Sequence, residues 1–232
     1  MTIFRLKQFA STSIHAAAGA MHWNYDRAEL IADGVVHIVG VCLGLIAATT
    51  LIVLTAVYAG AFEITVVSVY VAGLLAMLTL SAVYNLWPVS RAKWVLRRFD
   101  HSAIYLLIAA TYTPFIVELR ESHLAIALLI GVWCVAIAGV VLKLVRPGRY
   151  DRLAVGLYLA LGWSGVTLYD AVVKAVPPLA LGFLLAGGVL YSCGVIFHAW
   201  QRLRFQNAIW HGFVLLGAAC HYTAILDMMI LT

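Results

Sequence analysis

Long apolar runs dominate this chain, and short polar turns separate them. Seven of the runs are long enough to cross a bilayer, because a helix of about 20 apolar residues spans its hydrocarbon core. The pattern predicts an all-α membrane domain over residues 26–232, preceded by a cytoplasmic or interfacial segment over residues 1–25. The seven predicted membrane helices are Glu29–Tyr58, Ile64–Trp87, His101–Leu119, Leu124–Val145, Leu153–Val173, Pro178–Trp200 and Ala208–Leu231.

The composition agrees with a membrane protein. Of the 232 residues, 64% are hydrophobic and only 11% are charged, whereas a soluble domain carries about 25% charged residues. The net charge of +5 does not indicate nucleic acid as a partner, because the basic residues lie mainly in the predicted turns. The cysteines lie inside apolar runs without metal-binding spacing, so we expect them to be small buried residues. They are Cys42, Cys134, Cys193 and Cys220.

The basic residues also indicate an orientation. When seven helices alternate across the membrane, only Arg120 and Lys174 of the 15 lysines and arginines fall on the minority side. Loops on the cytoplasmic side are enriched in these residues. We therefore expect the N-terminus inside and the C-terminus outside.

Polar residues within the apolar runs concentrate at the inner ends of four predicted helices. Four-residue spacing places Glu29, Asp33 and His37 on one face of the first helix. Charged groups inside a membrane are costly and mark functional sites by default. The other members of this inner-face group are Ser81, Tyr84, Asn85, Asp100, His101, Asn207 and His211.

Three interpretations of this group remain open on the residues alone. It could be a polar network that locks helices together, an ion or proton path that includes Asp33, Asp100 and His211, or a hydrolytic site. A tetrahedral site rich in histidine is not predicted from the residues, because Asn85 and Asn207 carry neutral amides.

Asp100 is the carboxylate of most interest in the group. It follows a predicted basic turn that contains Arg91, Lys93, Arg97 and Arg98. In the first turn of the third helix, the helix dipole would favour its negative charge. We expect its side chain to face the protein interior near Ser81 and His211.

Several stretches carry a family resemblance, including SAVYN, FDHSAIYLLIAATYTPF and NAIWHGFVLLGAACH. With two further stretches, they occupy Glu29–His37, Ser81–Asn85, Arg91–Phe115, Gly187–Phe197 and Asn207–His221. Together they resemble the hemolysin III family, the bacterial branch of the progestin and adipoQ receptor family. The resemblance implies seven membrane helices with the C-terminus outside, a bacterial inner membrane location and a zinc site near the inner face.

The resemblance also implies residue roles at that zinc site. The positions of the three zinc-binding histidines correspond to Asn85, Asn207 and His211, with Ser81 and Asp100 beside the metal as candidate catalytic residues. Two of the three positions hold asparagine, which is a poor zinc ligand. We therefore expect a degenerate site and no cofactor, with zinc present only if the family site is retained.

Two classes of function follow from these expectations. The first is a non-enzymatic hemolysin III-like membrane protein, acting in membrane-lipid or membrane-energetics homeostasis or as a channel-like cytolysin. The alternative is a zinc-dependent membrane hydrolase of lipid amides or esters. Membrane lipids are the expected partners in both, and the sequence identifies no protein partner.

Overall fold

The computed structural model of the chain describes residues 25–146, 148 and 150–231, so the predicted segment over residues 1–25 lies almost entirely outside the described residues. All regular elements in the described part are helical. A 3-10 turn, Ser164–Leu168, joins α5 to α6, and a π-helical turn, Asp227–Leu231, extends α8. The α-helices are α1 (Arg27–Tyr58), α2 (Ala61–Leu86), α3 (Arg91–Glu118), α4 (His123–Val145), α5 (Asp151–Trp163), α6 (Tyr169–Ala175), α7 (Pro178–Ala199) and α8 (Gln206–Leu226).

Local sequence signals fix the ends of several helices. The Asp26 carboxylate accepts a hydrogen bond from the Glu29 backbone N–H at 2.9 Å, and Glu29 accepts one from the Asp26 N–H at 2.8 Å. This capping box begins α1, and the backbone hydrogen bond holds the pKa of the Asp26 carboxyl below its usual range. Pro178 occupies the first turn of α7, where its missing N–H is not needed.

The start of α3 differs from the prediction. The predicted basic turn is helical, and α3 begins at Arg91 after Ser90, whose hydroxyl accepts from the Lys93 N–H at 3.4 Å. Lys and Arg are good helix formers, so their charge did not mark a loop. Asp100 consequently lies in the third turn of α3, and the expected stabilisation by the helix N-terminus was wrong because the dipole effect is confined to the first turn.

The all-α membrane fold is confirmed. Six helical segments in the described residues are long and apolar enough to cross a membrane, and they correspond to α1, α2, α4, α5 with α6, α7 and α8 with its π-helical turn. The remaining segment, α3, contacts α2, α4, α5 and α8. It buries polar residues such as Arg97, Asp100 and Thr111. Because its neighbours shield it from lipid, α3 is less apolar than the helices around it.

The expectation of buried cysteines was wrong for the chain as a whole. Cys42 and Cys134 are exposed on the outer surface of the bundle, and Cys193 and Cys220 are only partly buried. The outer surface also exposes large aliphatic residues such as Ile46 and Val57. A surface that contacts lipid does not require polar side chains, so an apolar run alone does not distinguish lipid-facing positions from core positions.

The orientation of the termini stays a prediction, and reporter fusions test it. A reporter that is active only outside the cytoplasm, fused after Thr232, should be active, whereas a reporter that folds only in the cytoplasm should be inactive there. The same pair fused after Val145 should give the opposite result, because that turn carries basic residues expected to remain inside. Cytoplasmic activity after Thr232 would contradict the predicted orientation.

Candidate functional site

A large cavity of about 2250 Å³ lies between the helices, and described residues of α1 to α8 line it. Near the starts of α1 and α8 its wall is polar, whereas towards the end of α3 and the start of α7 it is apolar. The polar end includes Asp33, Ser81, Asn85, Asp100, Asn207 and His211. The apolar part includes Phe115, Val176, Leu181, Leu184 and Val214.

Asp33 is the centre of the hydrogen bonds at the polar end. Its Oδ1 atom lies 2.6 Å from Nδ1 of His211, and its Oδ2 atom accepts from the Asn207 side-chain amide at 2.9 Å. Asn207 and His211 are four residues apart, so they lie on one face of α8 and reach the same carboxylate. Asp33 is itself buried, and this set of contacts joins α1 to α8.

His37 connects Asp33 to α2. Its Nδ1 atom lies 2.8 Å from the backbone oxygen of Asp33, and its Nε2 atom lies 3.3 Å from Oγ of Ser81 and 3.2 Å from the Asn85 amide nitrogen. We assign the proton to Nδ1, because it faces a carbonyl oxygen, which leaves Nε2 as an acceptor. The rings of His37 and His211 meet edge to face with 4.3 Å between centroids.

Asn85 and Asn207 contact each other across α2 and α8. The Asn207 amide donates to Oδ1 of Asn85 at 3.2 Å, and the Asn85 amide donates to the Ser81 backbone oxygen at 3.0 Å. Positions 85, 207 and 211 therefore converge in space. The two amide groups act there as links in a hydrogen-bonded chain.

Asp100 is buried on the cavity wall, where its carboxyl group faces Ser81. Its neighbour His101 holds Nε2 at 3.9 Å from the Asp100 carboxylate, and Tyr84 approaches the His101 ring with 6.5 Å between centroids. The structure thus brings Asp100 to the polar end beside Ser81. Tyr84 and His101 form a flanking pair between α2 and α3.

Glu29 lines the cavity together with Asp33, and it has a further structural role. Besides capping α1, its carboxylate accepts a hydrogen bond from the Phe205 backbone N–H at 3.0 Å. Phe205 has a positive φ of 60°, which is uncommon for a residue other than glycine. Glu29 therefore holds the turn before α8 against the start of α1, and it makes no hydrogen bond to Asp33 or His37 in the described part of the chain.

A second charged cluster joins α3, α4 and α5, and sequence reasoning missed it. Asp151 accepts from Arg97 at 2.5 Å and from Lys143 at 2.6 Å. Lys143 is almost fully buried, with 2% of its surface exposed. The sequence offered little signal for this cluster, because Arg97 and Asp151 are 54 residues apart. All three residues also line the cavity.

Comparison with known proteins identifies relatives over nearly the whole membrane domain. The family model described as Haemolysin-III related matches residues 28–222. A hemolysin-3 homolog from Bacillus subtilis is 34% identical over 198 residues, covering 85% of this chain and 93% of the relative. Hemolysin-3 from Bacillus cereus is 32% identical over 198 residues, covering 85% of this chain and 90% of the relative.

A more distant group of relatives is eukaryotic. The human monocyte to macrophage differentiation factor is 32% identical over 164 residues, covering 68% of this chain and 67% of the relative. The similarity thus extends beyond bacterial proteins.

Proposed function

Because the chain belongs to the haemolysin-III related family, we propose that this multi-pass membrane protein binds an amphipathic membrane lipid between its helices. Binding of this lipid would contribute to membrane-lipid homeostasis. This role does not require the protein to convert the lipid chemically. We further propose that the protein resides in the bacterial inner membrane with its N-terminus inside.

The observation that carries this proposal is the polarity of the cavity. Its volume of about 2250 Å³ exceeds the roughly 300–1,000 Å³ of ordinary small-molecule sites. Its apolar part, which includes Phe115 and Leu184, suits an acyl chain. Each methylene group of the chain that is buried there contributes about 0.8 kcal/mol to binding. The polar end offers hydrogen-bonding groups that a purely apolar ligand would not use, so the geometry favours a lipid with a polar head.

The head group would lie against Ser81, Asp100 and His211. Ser81 and His211 supply hydrogen-bonding groups, and the Asp100 carboxylate accepts hydrogen bonds. This combination suits a hydroxyl, amide or ester group.

A second candidate function is hydrolysis of a lipid amide or ester. The observation that favours it is the 3.3 Å contact between Ser81 Oγ and His37 Nε2, with Asp100 beside Ser81 as the proposed second catalytic group. A base within hydrogen-bonding distance of a hydroxyl is a feature of nucleophilic catalysis. Asparagine amides can stabilise an oxyanion, but those of Asn85 and Asn207 already donate to Ser81, Asp33 and Asn85. Of the two candidates we therefore prefer binding without turnover.

We also propose that the family's three-histidine zinc site is lost. Asn85 and Asn207 occupy two of the three positions that the resemblance assigns to zinc-binding histidines, and only His211 keeps its imidazole. Both amides make hydrogen bonds to neighbouring side chains. These three residues therefore do not fit a zinc ion, and neither candidate function is derived through one.

Lipid extraction tests the proposal. The protein should be purified in mild detergent, and bound lipid should be quantified by mass spectrometry. Val195 lines the cavity, so Val195→Trp should fill part of it and lower the affinity for lipid about tenfold, which corresponds to about 1.4 kcal/mol. The variant should therefore retain less lipid on purification.

Val189→Trp is the matched control on the same helix. Val189 is exposed on the outer surface, so this variant should keep the lipid content of the unmodified protein. Equal lipid content in the two tryptophan variants would reject binding in the cavity. Release of a fatty acid from the bound lipid over time would favour the hydrolase instead.

A further inference from the structure

Three side chains at the polar end could bind a metal ion in an arrangement that differs from the family's histidine positions. Asp33 and His37 on α1 and His211 on α8 each offer one ligand atom, and these atoms all lie within 4.8 Å of one another. We infer that Asp33, His37 and His211 form a binding site for a divalent transition metal, with Zn²⁺ as the ion that the ligand set fits best. The inference does not rest on the proposed lipid.

The ligand types match zinc chemistry. Two imidazoles and one carboxylate form a common ligand set for zinc, which leaves a fourth position for water. Four-residue spacing places Asp33 and His37 one turn apart on the same face of α1. His211 approaches that face from α8, and it also borders the cavity. The fourth position would therefore face the cavity and Asp100.

Two of the three separations between ligand atoms lie within about 1 Å of those in a zinc site. In a tetrahedral site with bonds of about 2.0–2.1 Å, neighbouring ligand atoms are about 3.3 Å apart. His37 Nδ1 lies 3.6 Å from Asp33 Oδ1, which is close to that separation. His211 Nδ1 lies 2.6 Å from the same oxygen, and this pair would widen when the ion replaces the shared proton. Metal binding would thus release a proton from the site.

The surrounding residues can support the bound form. When Nδ1 of His37 binds the ion, its proton moves to Nε2, which then donates to the Ser81 hydroxyl now 3.3 Å away. A metal-bound histidine commonly donates its other ring N–H in this way. The Asn207 amide already donates to Oδ2 of Asp33 at 2.9 Å, which leaves Oδ1 available for the ion.

Charge is the physical reason for the site. Asp33 is buried within a membrane-spanning helix, where an unpaired carboxylate is costly. In the structure the carboxylate is held by the His211 ring at 2.6 Å and by the neutral Asn207 amide at 2.9 Å. A divalent ion neutralises the carboxylate and uses both imidazoles in their neutral form.

Elemental analysis tests the inference on the full-length protein. The protein in detergent should be loaded with Zn²⁺ and then dialysed against metal-free buffer. We expect one zinc per chain. Asp33→Asn, His37→Gln and His211→Gln should each lower zinc affinity by more than about 100-fold, because even outer residues of metal sites contribute 10- to 100-fold.

Two controls separate this site from other possibilities. His221 lies on the same helix, where its Nε2 contacts the Leu184 backbone oxygen at 3.3 Å, so His221→Gln should keep one zinc. Asn85→Leu should weaken zinc binding less than any of the three ligand variants, because Asn85 contacts His37 Nε2 at 3.2 Å without being a ligand itself. Unmodified protein without zinc after loading, or zinc that survives both Asp33→Asn and His37→Gln, would overturn the inference.

A spectroscopic variant protects the test against simple misfolding. Co²⁺ in place of zinc should give the intense visible absorption of a four-coordinate ion. His211→Cys supplies a different ligand at the same position and should add a thiolate-to-cobalt charge-transfer band in the near ultraviolet. Bound cobalt without that band would show that position 211 is not a ligand and would contradict the inferred site.

Discussion

Asp151→Asn is expected to destabilise the protein by about 3 kcal/mol, the lower end of the range for breaking a buried ion pair. The carboxylate contacts Arg97 at 2.5 Å and Lys143 at 2.6 Å. Its removal would leave two cations close together, and Lys143 is almost fully buried. We place the loss at the lower end because 35% of the Asp151 side chain is exposed, which lets solvent screen part of the interaction.

The cluster of Arg97, Lys143 and Asp151 has two cations and one carboxylate, so removing a cation and removing the carboxylate should differ in effect. Two cations share one carboxylate, so Lys143→Met removes a charge and leaves the Arg97–Asp151 pair intact. A methionine of similar length keeps the packing of the buried stem. We therefore expect Lys143→Met to be much milder than Asp151→Asn. The order follows from charge balance, whereas a cluster that acted only through packing would show the reverse.

Unfolding in detergent with increasing denaturant measures both variants. Asp170→Asn is the matched control, because Asp170 lies in the same helical segment but is exposed, and it should change stability by less than about 0.5 kcal/mol. If Asp151→Asn unfolds at the same denaturant concentration as Asp170→Asn, the cluster does not stabilise α3, α4 and α5.

The helices were predictable because the bilayer imposes a simple length requirement. Runs of apolar residues gave the order of the seven helical segments, and Pro88 and Pro178 lie at helix boundaries where proline is tolerated. The start of α3 was not predictable on that basis. Its first turns are basic, and their helical state follows from capping by Ser90 and from Arg97 contacting Asp151. Neither contact appears in a hydropathy pattern.

The sequence predicted that the polar residues of the site lie at the same depth in the membrane. Four-residue spacing on α1 and α8 indicated which residues share a helix face, and the alternation of helices placed those faces at the same end. The particular contacts were not predictable. Asp33 and His211 are 178 residues apart, and the distance between their helices depends on packing along the whole bundle. Glu29 has the same spacing and lines the cavity, but the spacing did not predict that its carboxylate also caps α1 and contacts the Phe205 N–H.

Close packing between α2 and α3 sets the relative position of Ser81 and Asp100. Gly73 of α2 faces α3 in this contact. A Cβ atom built at Gly73 would lie 2.6 Å from the Cβ atom of Ala110 and 3.4 Å from the backbone oxygen of Leu106. The Cβ atom of Ala110 cannot move by a side-chain rotation, and the Leu106 oxygen can move only if the backbone of α3 moves. The glycine is therefore required by the close approach of the two helices.

Gly73→Leu is expected to separate α2 from α3 and to destabilise the protein by about 3 kcal/mol, the upper part of the usual cost of overpacking. Gly131→Leu is the matched control, because a Cβ atom at Gly131 meets nothing within 4 Å. Leucine has a higher helix propensity than glycine by up to about 1 kcal/mol, so the control should be neutral or stabilising. The denaturant midpoint should therefore fall for Gly73→Leu and stay the same or rise for Gly131→Leu. Equal midpoints would mean that the close approach of α2 and α3 at Gly73 does not stabilise the protein.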